Sequence, residues 1–353
     1  MPGTWPSYGR DITKTQGFSR VDYRIPCMHR ACLGAATVRF SGMIRALVLF
    51  ALLAIPATSL AAEWRYTDGA GTEVVLPEPP KRIVAHTSVA AALIPLGIEP
   101  VGILLNGQPS LERALEGVDV THIPVVSQGW GEIDAEAILA LAPDVIITEY
   151  SPEYYSYAGG THEEPFKSRL EAIAPLIGIA NPNSTLATIE EYEAFARSLT
   201  GSLDEATLAA DKAAFENARD ALTAVAATKT DLTLLPISPG RSEIALGVAS
   251  RFGELVDFRN WGVNIVELVP TSGDYRATSW ENIRNYDSDI LLIDDRWGIA
   301  SLATITDNPI GARIPAIISG QTGNWPAGWI RSYRVYTQEI EKLTSLLERS
   351  KKL

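Results

Sequence analysis

The chain has 353 residues, a formal net charge of −12 and a hydrophobic content of 46%, which excludes nucleic-acid binding through a general basic surface. That length suits two lobes of ordinary domain size. Both cysteines, Cys27 and Cys32, lie near the start, so no disulfide is expected to hold the fold.

Residues 1–42 carry scattered Arg and Pro with no periodicity and read as an N-terminal extension ahead of the true start. Met43-Ile44-Arg45, the apolar run from Ala46 to Ile55 and the small-residue end Ser59-Leu60-Ala61 follow in the order of a secretory signal peptide, 43–61. The run is too short to span a bilayer. Cleavage after Ala61 leaves residues 62–353 without cysteine or methionine and with a net charge of −17, because the leader carries +5. With no cysteine at the cleavage point to take a lipid, the expectation is a soluble, exported, periplasmic protein.

From there short strands and helices alternate. Val74–Leu76 reads as an edge strand closed by Pro77, Pro79 and Pro80, and Ile83–Ala85 as the next strand. A helix capped by Ser88 runs to Leu96 and ends at Gly97, followed by strands Val101–Leu104 and Pro124–Val126. Asp134 caps a helix through Leu141, Pro143 stops it, and Val145–Thr148 is a buried strand. Continuous Val and Ile between helices indicate a parallel sheet covered on both faces.

The stretch from Thr185 to Val225 reads as two consecutive helices. Ile189, Tyr192, Ala196 and Leu199 recur at helical spacing, as do Leu208, Phe215, Ala218, Leu222 and Val225. Gly201 separates them, and Ser202 with Glu205 makes a capping box for the second. Alternation then resumes with strand Leu232–Ile237, helix Ser250–Phe258, a short strand at Ile265-Val266, helix Trp280–Asn285, strand Ile290–Ile293 and a closing helix Val335–Glu348. The expected domains are an N-terminal α/β lobe at 62–183, a helical connector at 184–228 and a C-terminal α/β lobe at 229–353. One unit occurs in each half: Glu136 starts a helix eight residues before Asp144 and its strand, as Glu281 does before Asp289. An acid in a first helical turn favours the helix dipole, a sufficient reason for each Glu alone.

The segments PPKRIVAHTSVAAALIPLGIEPVGI (79–103), GEIDAEAILALAPDVIIT (131–148) and SWENIRNYDSDILLID (279–294), with the helical stretch between the halves, resemble one known family. It comprises the periplasmic substrate-binding proteins of ABC importers for iron-siderophores, haem and cobalamin. The resemblance covers nearly all of residues 62–353. It implies two Rossmann-like lobes with mainly parallel sheets, joined rigidly by one long helix, with ligand held in the cleft between them. It also implies that one Glu on each lobe, Glu136 and Glu281 by position, docks onto arginines of the membrane permease.

In open α/β sheets the ligand lies beyond the carboxyl ends of the strands. Those loops are 86–88, 106–108, 128–130 and 150–157 in the first half, and 238–241, 275–276, 294–297 and 325–333 in the second. They are dense in aromatics and, in the second half, in arginine, which suits a bulky, oxygen-rich, often anionic ligand such as a ferric siderophore. The ligand-binding candidates are Trp130, Tyr150, Tyr154, Arg241, Tyr275, Arg276, Arg296, Trp297, Trp329 and Arg331. Surface salt bridging is the alternative for the arginines, and packing for Trp261 and Trp280. Trp329 lies on a Pro/Gly loop with no helical or strand face to bury it, and by resemblance matches an aromatic that contacts ligand in hydroxamate-binding members. Arg331 stands where some of those members have Tyr, and Trp130 where they often carry Arg.

Other readings stay open. Haem-binding members offer an axial Tyr or His near these loops, a role His86 or Tyr150 could fill, and cobalamin is a further ligand of the same fold. A bare Zn or Mn site could use His86, His122 and His162 with a carboxylate, though no close His spacing supports it. No nucleophile elbow, phosphate loop, zinc-protease motif or mature cysteine marks an enzyme. The expectation is a monomeric, non-enzymatic receptor without a cofactor. It would capture a ferric siderophore and deliver it to an inner-membrane ABC permease with its ATPase, touching no nucleic acid.

Overall fold

A computed structural model describes residues 63–106, 112–269, 273–286, 288–296 and 300–353. The expected extension and signal peptide, residues 1–61, lie outside them. The first lobe opens with the antiparallel hairpin β1 (Trp64–Thr67) and β2 (Glu73–Leu76). There follow β3 (Ile83–His86), α1 (Thr87–Leu93), β4 (Gly102–Leu104) and the small hairpin β5 (Ser127–Gly129) and β6 (Glu132–Ile133). The lobe ends with α2 (Ala135–Ala140), β7 (Val145–Ser151), β8 (Ser156–Tyr157), α3 (Phe166–Glu171) and β9 (Leu176–Ala180). β3 and β9 flank β7 in parallel and β4 extends the sheet beyond β3, while the two-residue β8 runs against the end of β7. Val84, Ile146 and Leu104 bury one face and Ala85, Ile147 and Ile103 the other, which is why these strands read as unbroken apolar runs.

The connector is α4 (Thr185–Thr200) and α5 (Glu205–Thr228), with Gly201 at φ 73° ending the first. The second helix is capped by Asp204, whose Oδ1 accepts from Thr207 N at 3.1 Å, rather than by Ser202. Asp204 stands one residue before the helix, where a side-chain oxygen meets the free N–H groups, and Glu205 instead grips Arg197 on α4. Likewise α1 is capped by His86, not Ser88: the ring Nδ1 accepts from Ser88 N. α4 carries Tyr192, Phe195 and Ala196 into the first core and Ile189 into the second, so one helix belongs to both lobes. α5 packs wholly in the second.

The second lobe comprises β10 (Leu234–Pro239), β11 (Ile244–Gly247), α6 (Gly253–Asn260), β12 (Tyr275–Thr278) and β13 (Ile290–Asp294). It closes with α7 (Ala300–Asp307), α8 (Pro315–Ile318), β14 (Thr322–Trp325) and α9 (Tyr333–Arg349). Its sheet order is β12-β11-β10-β13-β14. β10, β13 and β14 are parallel, whereas β11 and β12 form an antiparallel edge. The segment expected as a helix at Trp280–Asn285 is a 3₁₀ turn over Glu281–Asn285. Val125 and Ile265 make single parallel bridges rather than strands.

The repeated unit has a shared mechanical reason. Asp144 Oδ2 accepts from Lys81 N and Arg82 N, both at 2.8 Å, at the entry to β3. Asp289 accepts from Thr233 N at 2.8 Å at the entry to β10. In each lobe the Asp before one parallel strand thereby fixes the start of its neighbour.

Between the lobes lies a buried ion pair. Glu149 on β7 receives Arg331, from the loop before α9, through Nη2 at 2.8 Å and through Nε. Tyr192 OH on α4 adds a third bond at 2.6 Å. Burial pushes the Glu149 carboxyl up, but the Arg331 charge and hydrogen bonds outweigh it and hold it below the usual range. Toward the rim Glu153 pairs with Arg251, and Tyr154 OH donates to Asp274. Removing one partner of a buried pair leaves a charge with no water to answer it. Arg331→Met is therefore expected to lower stability by about 3–5 kcal/mol in urea denaturation; a loss under about 1 kcal/mol would show that the lobes do not depend on this pair.

Candidate functional site

The carboxyl ends of the parallel strands of both sheets open on one cleft, as sheet topology requires. A cavity of about 330 Å³ occupies it, within the size range of small-molecule sites. β3 and β4 deliver Thr87, Ser88 and Asn106 to its wall, and a 3₁₀ turn at Arg113–Leu115 adds Arg113. The turn between β5 and β6 presents Trp130. From the second lobe come Arg296 after β13, and Gly328 and Trp329 after β14.

Each aromatic is held by hydrogen bonds to its neighbours. Trp130 N donates to Asn106 O at 3.1 Å, and Gly131 N to Gly159 O at 3.2 Å, so the turn is fastened while 42% of Trp130 stays exposed. Trp329 is fixed by its indole, which donates to Asp295 Oδ1 at 2.7 Å. Its loop is anchored below by Glu254, fully buried on α6, which accepts from Trp325 Nε1 at 2.7 Å and Gly328 N at 3.3 Å. Burial pushes the Glu254 carboxyl up to about 7, against the pull of these donors.

The cavity's arginines are paired. Arg113 lies 5.2 Å from the Trp329 ring centroid and reaches across the cleft to Asp295, Nη2 to Oδ2 at 3.2 Å. Arg296 holds Asp294 and touches Tyr275 OH. Burial weakens the Arg296 charge, but the bond to Asp294 more than restores it. Burial raises the Asp295 carboxyl, with Trp329 and Arg113 opposing.

Of the residues singled out from sequence, Trp130, Arg296 and Trp329 meet at this cavity. Tyr275 stands behind Arg296, its ring against Phe252 and Trp325. Tyr154 sits at the rim under Arg251. Tyr150 is buried edge-on against Tyr157, and Arg331 is closed on Glu149 beside a separate cavity lined by Tyr192 and Tyr333. Arg241 and Arg276 are exposed on the β10–β11 turn and the β12 edge. Trp297 lies outside the described residues. Trp280 is buried in the second core, and Trp261 packs on Phe215 and Tyr336. Glu136 and Glu281 are exposed in the first turns of their helices.

The histidines are dispersed. His86 is buried, with Nδ1 capping α1 and Nε2 donating to Asn106 Oδ1 at 2.8 Å, so both ring nitrogens are engaged. His122 pairs with Glu99 on the surface, and His162 donates to Tyr157 O. Among the described residues no group of three His, Cys, Asp or Glu is placed to hold a metal ion. Arg113 was the wall residue least visible in sequence. Arg113 falls just past the loop at Asn106, and its place at a strand end was its sole signal.

Two lobes, one shared helix and a cleft at facing strand ends define a bilobal solute-binding protein. The family model for periplasmic binding proteins matches residues 83–327, and the chain belongs to that family. It is 26% identical over 267 residues to the Fe(3+)-citrate-binding protein YfmC of Bacillus subtilis, covering 72% of this chain and 75% of the relative. The fold matches DesE, a ferric-siderophore receptor protein from Streptomyces coelicolor, with TM-score 0.74 and 28% identity over 82% of this chain and 99% of that one. The siderophore periplasmic binding protein from the fuscachelin gene cluster of Thermobifida fusca shares the fold, at TM-score 0.59 and 22% identity, over 77% and 98% of the two chains. Among the described residues no helix is long and apolar enough to cross a membrane.

Glu254 gives a pH dependence. Its folded value of about 7 lies above the ordinary 4.5, so the folded state binds the extra proton in between. That contribution is complete below about pH 4.5 and is lost as pH rises through 7, a fall on the order of 3 kcal/mol. Glu254→Gln is expected to flatten the stability profile between pH 5 and 8 relative to the parent, measured by urea denaturation; parallel profiles would contradict it.

Proposed function

We propose that the protein is the exported, soluble receptor of an ABC importer, binding a ferric siderophore in the interlobe cleft and handing it to the inner-membrane permease. It performs no chemistry on its cargo and acts as a monomer after loss of a signal peptide at 43–61. The observation that carries this reading is the pair Trp130 and Trp329, set by opposite lobes on one cavity whose wall also holds hydrogen-bonding groups. Rigid aromatic walls with a few placed polar groups suit a bulky, oxygen-rich chelate. The iron-chelate ligands named for YfmC and DesE point the same way. Both His86 nitrogens are engaged and Tyr150 is buried against Tyr157 away from the cavity wall, which speaks against either as an axial ligand and so favours a chelate over haem. Glu136 and Glu281, exposed on separate lobes, are the proposed permease contacts.

Tryptophan fluorescence of the purified protein, titrated with ferric chelates, haemin and Zn²⁺, tests the reading. Saturable quenching by a ferric chelate at submicromolar concentration is expected, and Trp329→Ala should weaken it by roughly tenfold or more. Response to haemin or Zn²⁺ with indifference to every chelate would sink the proposal. Charge reversal at Glu136 together with Glu281 should reduce transport and leave chelate affinity intact; lost binding would place them at the ligand instead.

A further inference from the structure

The cavity's cations come with their counter-charges built in. Arg296 holds Asp294 through Nε at 3.0 Å and Nη2 at 2.5 Å. Arg113 crosses from the first lobe to Asp295 and also pairs with Glu116. Asp294 and Asp295 are 0% and 5% exposed, so neither can turn to water if its arginine is withdrawn. A buried carboxylate stripped of its partner is costly. Glu112 places a further carboxylate on the same wall. Beyond the cleft, residues 62–353 carry a net −17, whose field opposes the approach of polyanions.

What the wall offers a ligand is of another kind. Thr87, Ser88 and Asn106 line it with uncharged polar side chains, and Thr87 Oγ1 and Arg113 Nε, without a hydrogen-bond partner, lie just below its surface. Hydroxyls and an amide can hydrogen-bond an uncharged oxygen such as a carbonyl without calling on either arginine. The faces of Trp130 and Trp329 carry negative quadrupole density, which favours apolar or cationic groups over anions.

From this pairing we infer that the cleft selects ferric chelates without net negative charge and turns away polyanionic ones. The favoured class has singly charged oxygen arms that cancel the charge of the ferric ion, as in a tris-hydroxamate. The disfavoured class includes tris-catecholate and citrate complexes. An anionic ligand must take an arginine from a buried aspartate, whereas a neutral one leaves both pairs closed. The inference rests on the cleft being the ferric-siderophore site.

Quenching titrations of the purified protein with a ferric tris-hydroxamate, a ferric tris-catecholate and ferric citrate separate the two claims. The tris-hydroxamate is expected to bind at least about 100-fold more tightly than either anion. Tighter binding of an anion would overturn the charge inference and leave the siderophore reading standing; binding of none would overturn both. Asp295→Asn keeps an acceptor for the Trp329 indole while removing the charge that answers Arg113. It should narrow the preference for the tris-hydroxamate over the tris-catecholate about tenfold, whatever it does to both affinities together. An unchanged ratio in a folded variant would show that the pairing is not the selector, and the parent series decides the question if the variant is unstable.

Discussion

The arrangement of the two lobes depends on the Glu149–Arg331 pair. Each lobe contributes one buried charge, and each charge has the other as its main answer. Shifting the lobes without admitting water would leave a buried carboxylate and guanidinium unpaired, which is costly. Tyr192 ties the pair to the one helix that packs in both cores. Asp257 fastens the start of that helix to the second lobe, accepting from Ser184 Oγ, Leu186 N and Tyr336 OH. A hinge that opens widely would have to break these bonds together. These ties favour a largely preformed cleft.

A preformed cleft makes the fine positions of its walls matter. Trp130 is set by backbone bonds to Asn106 and Gly159, and Trp329 by Asp295 and by the buried Glu254 beneath its loop. None of these supports needs a ligand to form. The same economy governs the charges: Arg113 links the lobes as well as walling the cavity, so its guanidinium is already engaged before a ligand arrives. Under the charge selection inferred above, binding in such a site is decided by shape, stacking and uncharged oxygen acceptors more than by bulk electrostatic attraction.

Much of this was legible in the sequence. The alternation of elements, the break at Gly201 and the strand-end loops bearing Trp130, Arg296 and Trp329 follow from periodicity and sheet topology. β9 and β11 were not legible because glycine interrupts the first and ends the second. Gly178 is required where a Cβ would lie 2.6 Å from Tyr150 Cβ, and Gly247 where it would lie 2.3 Å from the Trp325 ring. Those contacts join strands distant in sequence. For the same reason the partner of Arg331 could not be read; that of Arg296 is two residues away, but an arginine in a strand-end loop looks alike whether it faces ligand or a buried carboxylate. Arg113, set between Glu112 and Glu116 outside any periodic pattern, gave no local sign of crossing the cleft.

The most direct test of a preformed, aromatic-walled chelate site is a crystal structure with a bound ferric tris-hydroxamate, the iron located by its anomalous scattering. The account requires the iron between Trp130 and Trp329, with Glu149–Arg331 and Arg113–Asp295 both intact. Iron outside this cleft, or lobes rotated with the Glu149–Arg331 pair broken, would contradict it.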